Sequence, residues 1–117
     1  MIDHLNIAII GVGGIGSNLV SLLVPSLSQG NLSQRFMKIN INLYDSDKVE
    51  ESNIFHQRFN HSNVGQTKVL ATKINLTSFE NEKLEIIPHE KDVRVANDIL
   101  ENDIIIVCVD SSDARIV

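Results

Sequence analysis

The amino-acid sequence predicts an α/β fold in which helices flank a parallel sheet. Two observations carry that expectation. Apolar runs of strand length recur at Ile7 to Ile10, Met37 to Tyr44, Leu84 to Ile87 and Asp103 to Val109, and stretches with helically spaced apolar residues alternate with them. Chains built this way close into one parallel sheet through right-handed crossovers. The second observation is the spacing G-x-G-x-x-G at Gly11, Gly13 and Gly16, between the first strand and the first helix. A strand before and a helix after are the context that this spacing needs.

Each element has its own reason. Ile7 to Ile10 is a short apolar run bounded by Gly11. A helix follows from Gly16 to about Val24, and Pro25 is expected to end or kink it. Ser26 to Arg35 is polar and reads as a loop or a frayed helical extension. Met37 to Tyr44 alternates, with Met37, Ile39, Ile41 and Leu43 on one face and Lys38, Asn40 and Asn42 on the other. Asp45 to Asn63 is long and polar for a compact domain, which favours a working loop or a short 3₁₀ segment. Asn63 with Gln66 resembles a capping box opening a second helix from about Val64 to Leu76, with Val69, Leu70 and Ile74 as its stripe. Leu84 to Ile87 is the third strand, closed by Pro88. Asp92 can cap a third helix through Leu100. Asp103 to Val109 is so continuously apolar that it resembles a central parallel strand. The result is a Rossmann-like parallel sheet, a single nucleotide-binding domain over residues 1–117. A helix start at Ser111 or Ser112 suggests a domain that continues, truncated here on its C-terminal side.

Composition narrows the functions. At 43% hydrophobic and 21% charged, the 117 residues form a globular chain with a small core. A formal net charge of −5 argues against nucleic acid as a partner. No membrane span or signal peptide is expected, because glycines break the N-terminal apolar run and no basic segment precedes it. A single cysteine, Cys108, excludes an internal disulfide framework and fits a reducing, cytoplasmic setting.

Ligands of open parallel sheets bind at the carboxyl ends of the strands. Three groups are expected there: the glycine loop, Asp45 after the second strand and Asp110 after the fourth. Gly11 permits the tight turn, Gly13 lets a phosphate approach the backbone, and Gly16 lets the helix pack close. The helix N-terminus then offers N–H groups to an anion. Asp45 is placed to accept hydrogen bonds from a ribose. Cys108 sits inside an apolar strand and reads as packing rather than a nucleophile. Ser17 is a helix cap or a phosphate contact. His61 and His89 read as surface histidines, and His4 as a residue preceding the first strand.

Four segments in order, GVGGIGSNLV, YDSDKVEESNIFHQRF, NVGQTK and VCVDSSDAR, resemble the ThiF/MoeB family, the adenylating domain shared with ubiquitin-activating enzymes. The resemblance spans nearly the whole chain and implies ATP and Mg2+ as cofactors. It implies a Gly11, Gly13, Gly14, Gly16 phosphate loop, Asp45 at the ribose and Asp47 as a second acid near the nucleotide. Asn53 and Gln57 would line the triphosphate, Lys68 would touch the phosphates, and Asp110 would hold magnesium. The implied substrate is the C-terminal carboxylate of a ubiquitin-like or sulfur-carrier protein, and the implied assembly is a homodimer or heterodimer. One departure stands out: His56 occupies the position where the family has arginine, and Arg58 lies two residues on. Arg58 is the candidate to take over its charge. Two other readings stay open from the sequence, an NAD(P)-binding dehydrogenase domain and a catalytically idle ThiF-like partner. The polar series from Ser52 to Lys68 argues against the first; His56 favours the second.

Overall fold

The computed structural model describes residues 2–93, 99 and 101–108. Its sheet has four parallel strands, β1 (Ile2–Ile10), β2 (Phe36–Tyr44), β3 (Leu84–His89) and β4 (Ile104–Val107), in the order β3-β2-β1-β4. Two helices, α1 (Gly14–Gln29) and α2 (Lys68–Leu76), connect the first three strands. The fold class is therefore the α/β, Rossmann-like one that the sequence predicts.

Register explains the core. Leu5, Ile39 and Leu84 align across three strands, as do Ile7, Ile41 and Ile86. All are buried, and they pack with Val20, Val24 and Leu27 of α1 and Val69 and Leu76 of α2. The opposite face is polar in its middle. Asn40 Nδ2 donates to Asn6 Oδ1 at 3.0 Å, and Asn42 Nδ2 donates to Asn102 Oδ1 at 2.9 Å. A parallel sheet usually carries apolar side chains on both faces. Here β2 alternates as a half-buried strand does.

Several boundaries differ from the sequence reading. β1 begins at Ile2, so His4 lies within the strand rather than before it. Pro25 does not end α1, which continues to Gln29. Burial of Val24 and Leu27 on either side of the proline outweighs one missing N–H donor, and Ser26 Oγ donates to the Leu22 carbonyl at 2.9 Å. Met37 is 56% exposed and does not join the buried face of β2. β3 runs through Pro88 to His89, which an edge strand tolerates because the proline needs no ladder donor. His89 is half-buried and stacks on its register partner Tyr44, with ring centroids 4.4 Å apart. β4 is a sheet edge among the described residues, not a central strand, with Ile104 and Ile105 each 45% exposed. The third helix, expected over residues 92–100, falls largely outside the described residues, and so do Val109 and the expected helix start at Ser111 or Ser112.

α2 begins four residues later than predicted. Residues Val64 to Gln66 are drawn into pairing with the loop after β2. Gly65 N–H donates to the Val49 carbonyl at 3.0 Å, and Val49 N–H donates to the Gln66 carbonyl at 2.8 Å. Gly65 has φ +91°, a conformation that glycine adopts without penalty. The N-cap is Thr67, whose Oγ1 accepts from Leu70 N–H. Asn63 instead pairs with Asn60 around a 3₁₀ turn at His61–Asn63. Ile74 faces out, 46% exposed.

Candidate functional site

The glycine loop connects β1 to α1 where close packing forbids side chains. Gly11 has φ +92°, and its N–H donates to the Tyr44 carbonyl at 2.9 Å. A Cβ on Gly16 would lie 1.9 Å from the Gly11 carbonyl oxygen and 3.3 Å from Cys108 Cβ. So Gly16 lets α1 sit against the turn and against the end of β4. Gly13 is the N-cap of α1 and Gly14 its first residue, so backbone N–H groups open the helix beside the loop. Cys108 is buried, and burial raises its thiol pKa. It is a packing residue, as its apolar surroundings suggest.

Asp45 locks onto this loop. Its Oδ2 accepts from Val12 N–H and its Oδ1 from Asp47 N–H, both at 2.8 Å. Burial raises its pKa, and the two backbone N–H groups oppose that shift. A carboxylate offers about four acceptor sites, so each oxygen keeps capacity for another donor. Asp47 carries the chain of contacts onward. Its carbonyl accepts from Lys68 N–H at 2.9 Å, and its Oδ2 lies 3.9 Å from Lys68 Nζ.

Lys68 is the first residue of α2, and its side chain is only 10% exposed. The structure buries it because Thr67 and Lys68 are pinned by the loop at Asp47 and Lys48. The residue opens α2, whose dipole disfavours a cation at that end, and Asp47, 72% exposed, is its ion-pair partner at the limit of contact distance.

The remaining predicted residues gather on the 3₁₀ turn at Glu51–Phe55 and just after it. Asn53 Oδ1 accepts from Glu50 N–H at 2.8 Å, so part of its side chain holds the turn. Gln57 Oε1 is buried with no hydrogen-bond donor among the described residues. Arg58 crosses to α1: its Nε donates to Asn18 Oδ1 at 2.7 Å, and its backbone N–H donates to Ser17 Oγ at 3.1 Å. Ser17 is thus a buried acceptor for Arg58 rather than a helix cap. His56 is exposed. Asp110 lies outside the described residues.

The structure therefore brings Gly11, Val12, Asp45, Asp47 and Lys68 into one connected group, and ties Arg58 to the same end of α1. Asn18 was not foreseen, since its role shows only once Arg58 is folded back onto it. The ThiF family model matches residues 1–117. The chain belongs to the ThiF family. This member resembles E. coli MccB solved with ATP, at 25% identity and a TM-score of 0.69 over 93% of this chain and 31% of that one. PaaA matches at 26% identity and a TM-score of 0.68, over 88% of this chain and 30% of that one. The fold is also that of E. coli TcdA, a tRNA N6-threonylcarbamoyladenosine dehydratase solved with AMP, at 22% identity and a TM-score of 0.69 over 92% and 42% of the two chains. The ThiF chain described here thus spans less than half the length of these structures. Comparison with curated proteins found no match.

Proposed function

We propose that this ThiF-family chain is the ATP-binding part of an enzyme that adenylates a carboxylate. The observation that carries the reading is Lys68, a buried cation at a helix N-terminus beside Asp47 and the Asp45-bound glycine loop. Burying an ammonium there is costly unless an anion completes its surroundings. The phosphates of ATP are that anion. MccB, solved with ATP and also with MccA-N7isoASN, supports a nucleotide site beside which a second molecule is bound by the enzyme.

In this reading the glycine loop, Gly11 to Gly16, holds the phosphates through backbone N–H groups. Asp45 accepts from the ribose hydroxyls with its remaining lone pairs, and Asp47 holds Lys68. Lys68 and Arg58 offset charge on the phosphates, with Gln57 and Asn53 beside them. A carboxylate oxygen of the substrate attacks the α-phosphorus, the bond to the β-phosphate breaks, and pyrophosphate leaves. The substrate is the C-terminal carboxylate of a ubiquitin-like or sulfur-carrier protein. Positioning and charge neutralisation supply the rate enhancement, with little acid–base chemistry. Magnesium, when bound, would neutralise the triphosphate and would be held by Asp110. Among the described residues no group of three ligand-type side chains stands ready for a metal. No helix among the described residues is long and apolar enough to cross a membrane. The proposed setting is the cytoplasm, on the reducing compartment that a single cysteine fits.

Isothermal titration with ATP and with NAD, each with and without magnesium, tests the reading. ATP should bind more tightly than NAD, and more tightly with magnesium. Tighter NAD binding that ignores magnesium would favour a dehydrogenase domain.

A further inference from the structure

We propose that Asn18 is a positioning residue that holds the Arg58 guanidinium toward the outer phosphates of the nucleotide. The proposal rests on the ATP reading above. Asn18 lies one turn into α1, and its carboxamide works in two directions. Nδ2 donates to the Gly14 carbonyl at 2.7 Å, within the glycine loop. Oδ1 accepts from Arg58 Nε at 2.7 Å, across forty positions of sequence. One amide therefore sets both the loop and the cation.

Arg58 is fixed at its backbone as well. Its N–H donates to Ser17 Oγ, which is itself buried, and its carbonyl accepts from Asn75 Nδ2 at 3.4 Å. Its terminal nitrogens make no hydrogen bond among the described residues. An arginine held at Nε presents those two nitrogens as a planar fork, the geometry that grips a phosphate. Direction follows from the ends of the site. Asp45 meets the loop at Val12, before α1 begins, while Arg58 meets α1 at Ser17 and Asn18. A nucleotide with its ribose at Asp45 thus runs its phosphate chain toward Arg58. A neutral amide suits position 18, because a carboxylate there would compete with the phosphate for the arginine.

The test is a double-mutant cycle on the 117-residue chain, with ATP and AMP titrated calorimetrically. Asn18→Ala and Arg58→Ala should each weaken ATP binding roughly tenfold, the scale of one charged hydrogen bond. The double variant should bind ATP no more weakly than Arg58→Ala alone. AMP affinity should change less than about twofold. Asn18→Asp keeps the acceptor for Nε but offsets the charge, so it should weaken ATP as Arg58→Ala does, and it serves if Asn18→Ala unfolds. Additive losses, parent-like ATP binding by Asn18→Asp, or equal losses for AMP and ATP would overturn the positioning role. A parent chain that binds no ATP would overturn the nucleotide reading itself.

Discussion

Lys68 is the residue on which the fold and the proposed ATP site make opposite demands. A lysine in an exposed loop contributes little either way. This one is buried at the positive end of α2, with Asp47 at 3.9 Å. Lys68→Met keeps most of the aliphatic volume and removes the charge. It should leave stability within about 1 kcal/mol of the parent or raise it, while weakening ATP binding at least roughly tenfold. Denaturant unfolding and calorimetry check the two halves separately. Loss of stability with unchanged ATP affinity would make Lys68 a packing residue. The glycines and Asp45 were legible in the sequence because backbone conformation and strand ends impose them locally. The burial of Lys68 and the service of Ser17 and Asn18 to Arg58 were not. They depend on a loop from β2 folding back onto α1 and α2, and no local pattern encodes that return.

At the scale of elements, the informative join is between α2 and β3. Lys73 Nζ donates to Glu80 Oε2 and to the Ile86 carbonyl, both at 2.8 Å, and Ile86 N–H donates to the same Glu80 oxygen at 3.0 Å. Two side chains thus stand in for a neighbouring strand along the outer side of β3. Burial works against the Glu80 carboxylate, but the bonds from Lys73, Ile86 and Thr77 outweigh it and hold its pKa below the ordinary value. A carboxyl lowered by folding stabilises fully above its unfolded pKa, and that contribution disappears as pH falls through the lowered value. Glu80→Gln should be about 1–2 kcal/mol less stable than the parent near pH 7. The gap should close below about pH 4. Thermal unfolding across that range checks it, and a gap independent of pH would contradict it. Element order and type were legible from hydrophobic period. The ends were not: Leu27 carried α1 past a proline, and pairing at Val49 delayed α2.

For the molecule as a whole, the two margins of the sheet are unequal. β3 is blocked by Pro88 and the Lys73–Glu80 pair, while β4 exposes Ile104, Ile105 and Val107, the last 62% exposed. Exposed apolar edges recruit other strands. The isolated 117-residue chain should therefore self-associate with rising concentration in sedimentation experiments, and Val107→Lys should suppress this without unfolding it. Concentration-independent monomers would remove the argument. The sheet order has a further consequence in time. Of the four strands β1 is made before the others, yet it lies between β2 and β4, and Asn6 N–H is held by Asp103 Oδ2 across 97 positions. At ribosomal speed, β4 is made on the order of several seconds after β2. During that interval the nascent chain can assemble β3, β2 and β1, but one flank of β1 stays unpaired. Of the four strands, the one that leads into the glycine loop is thus the earliest in the chain and the last to gain both of its neighbours.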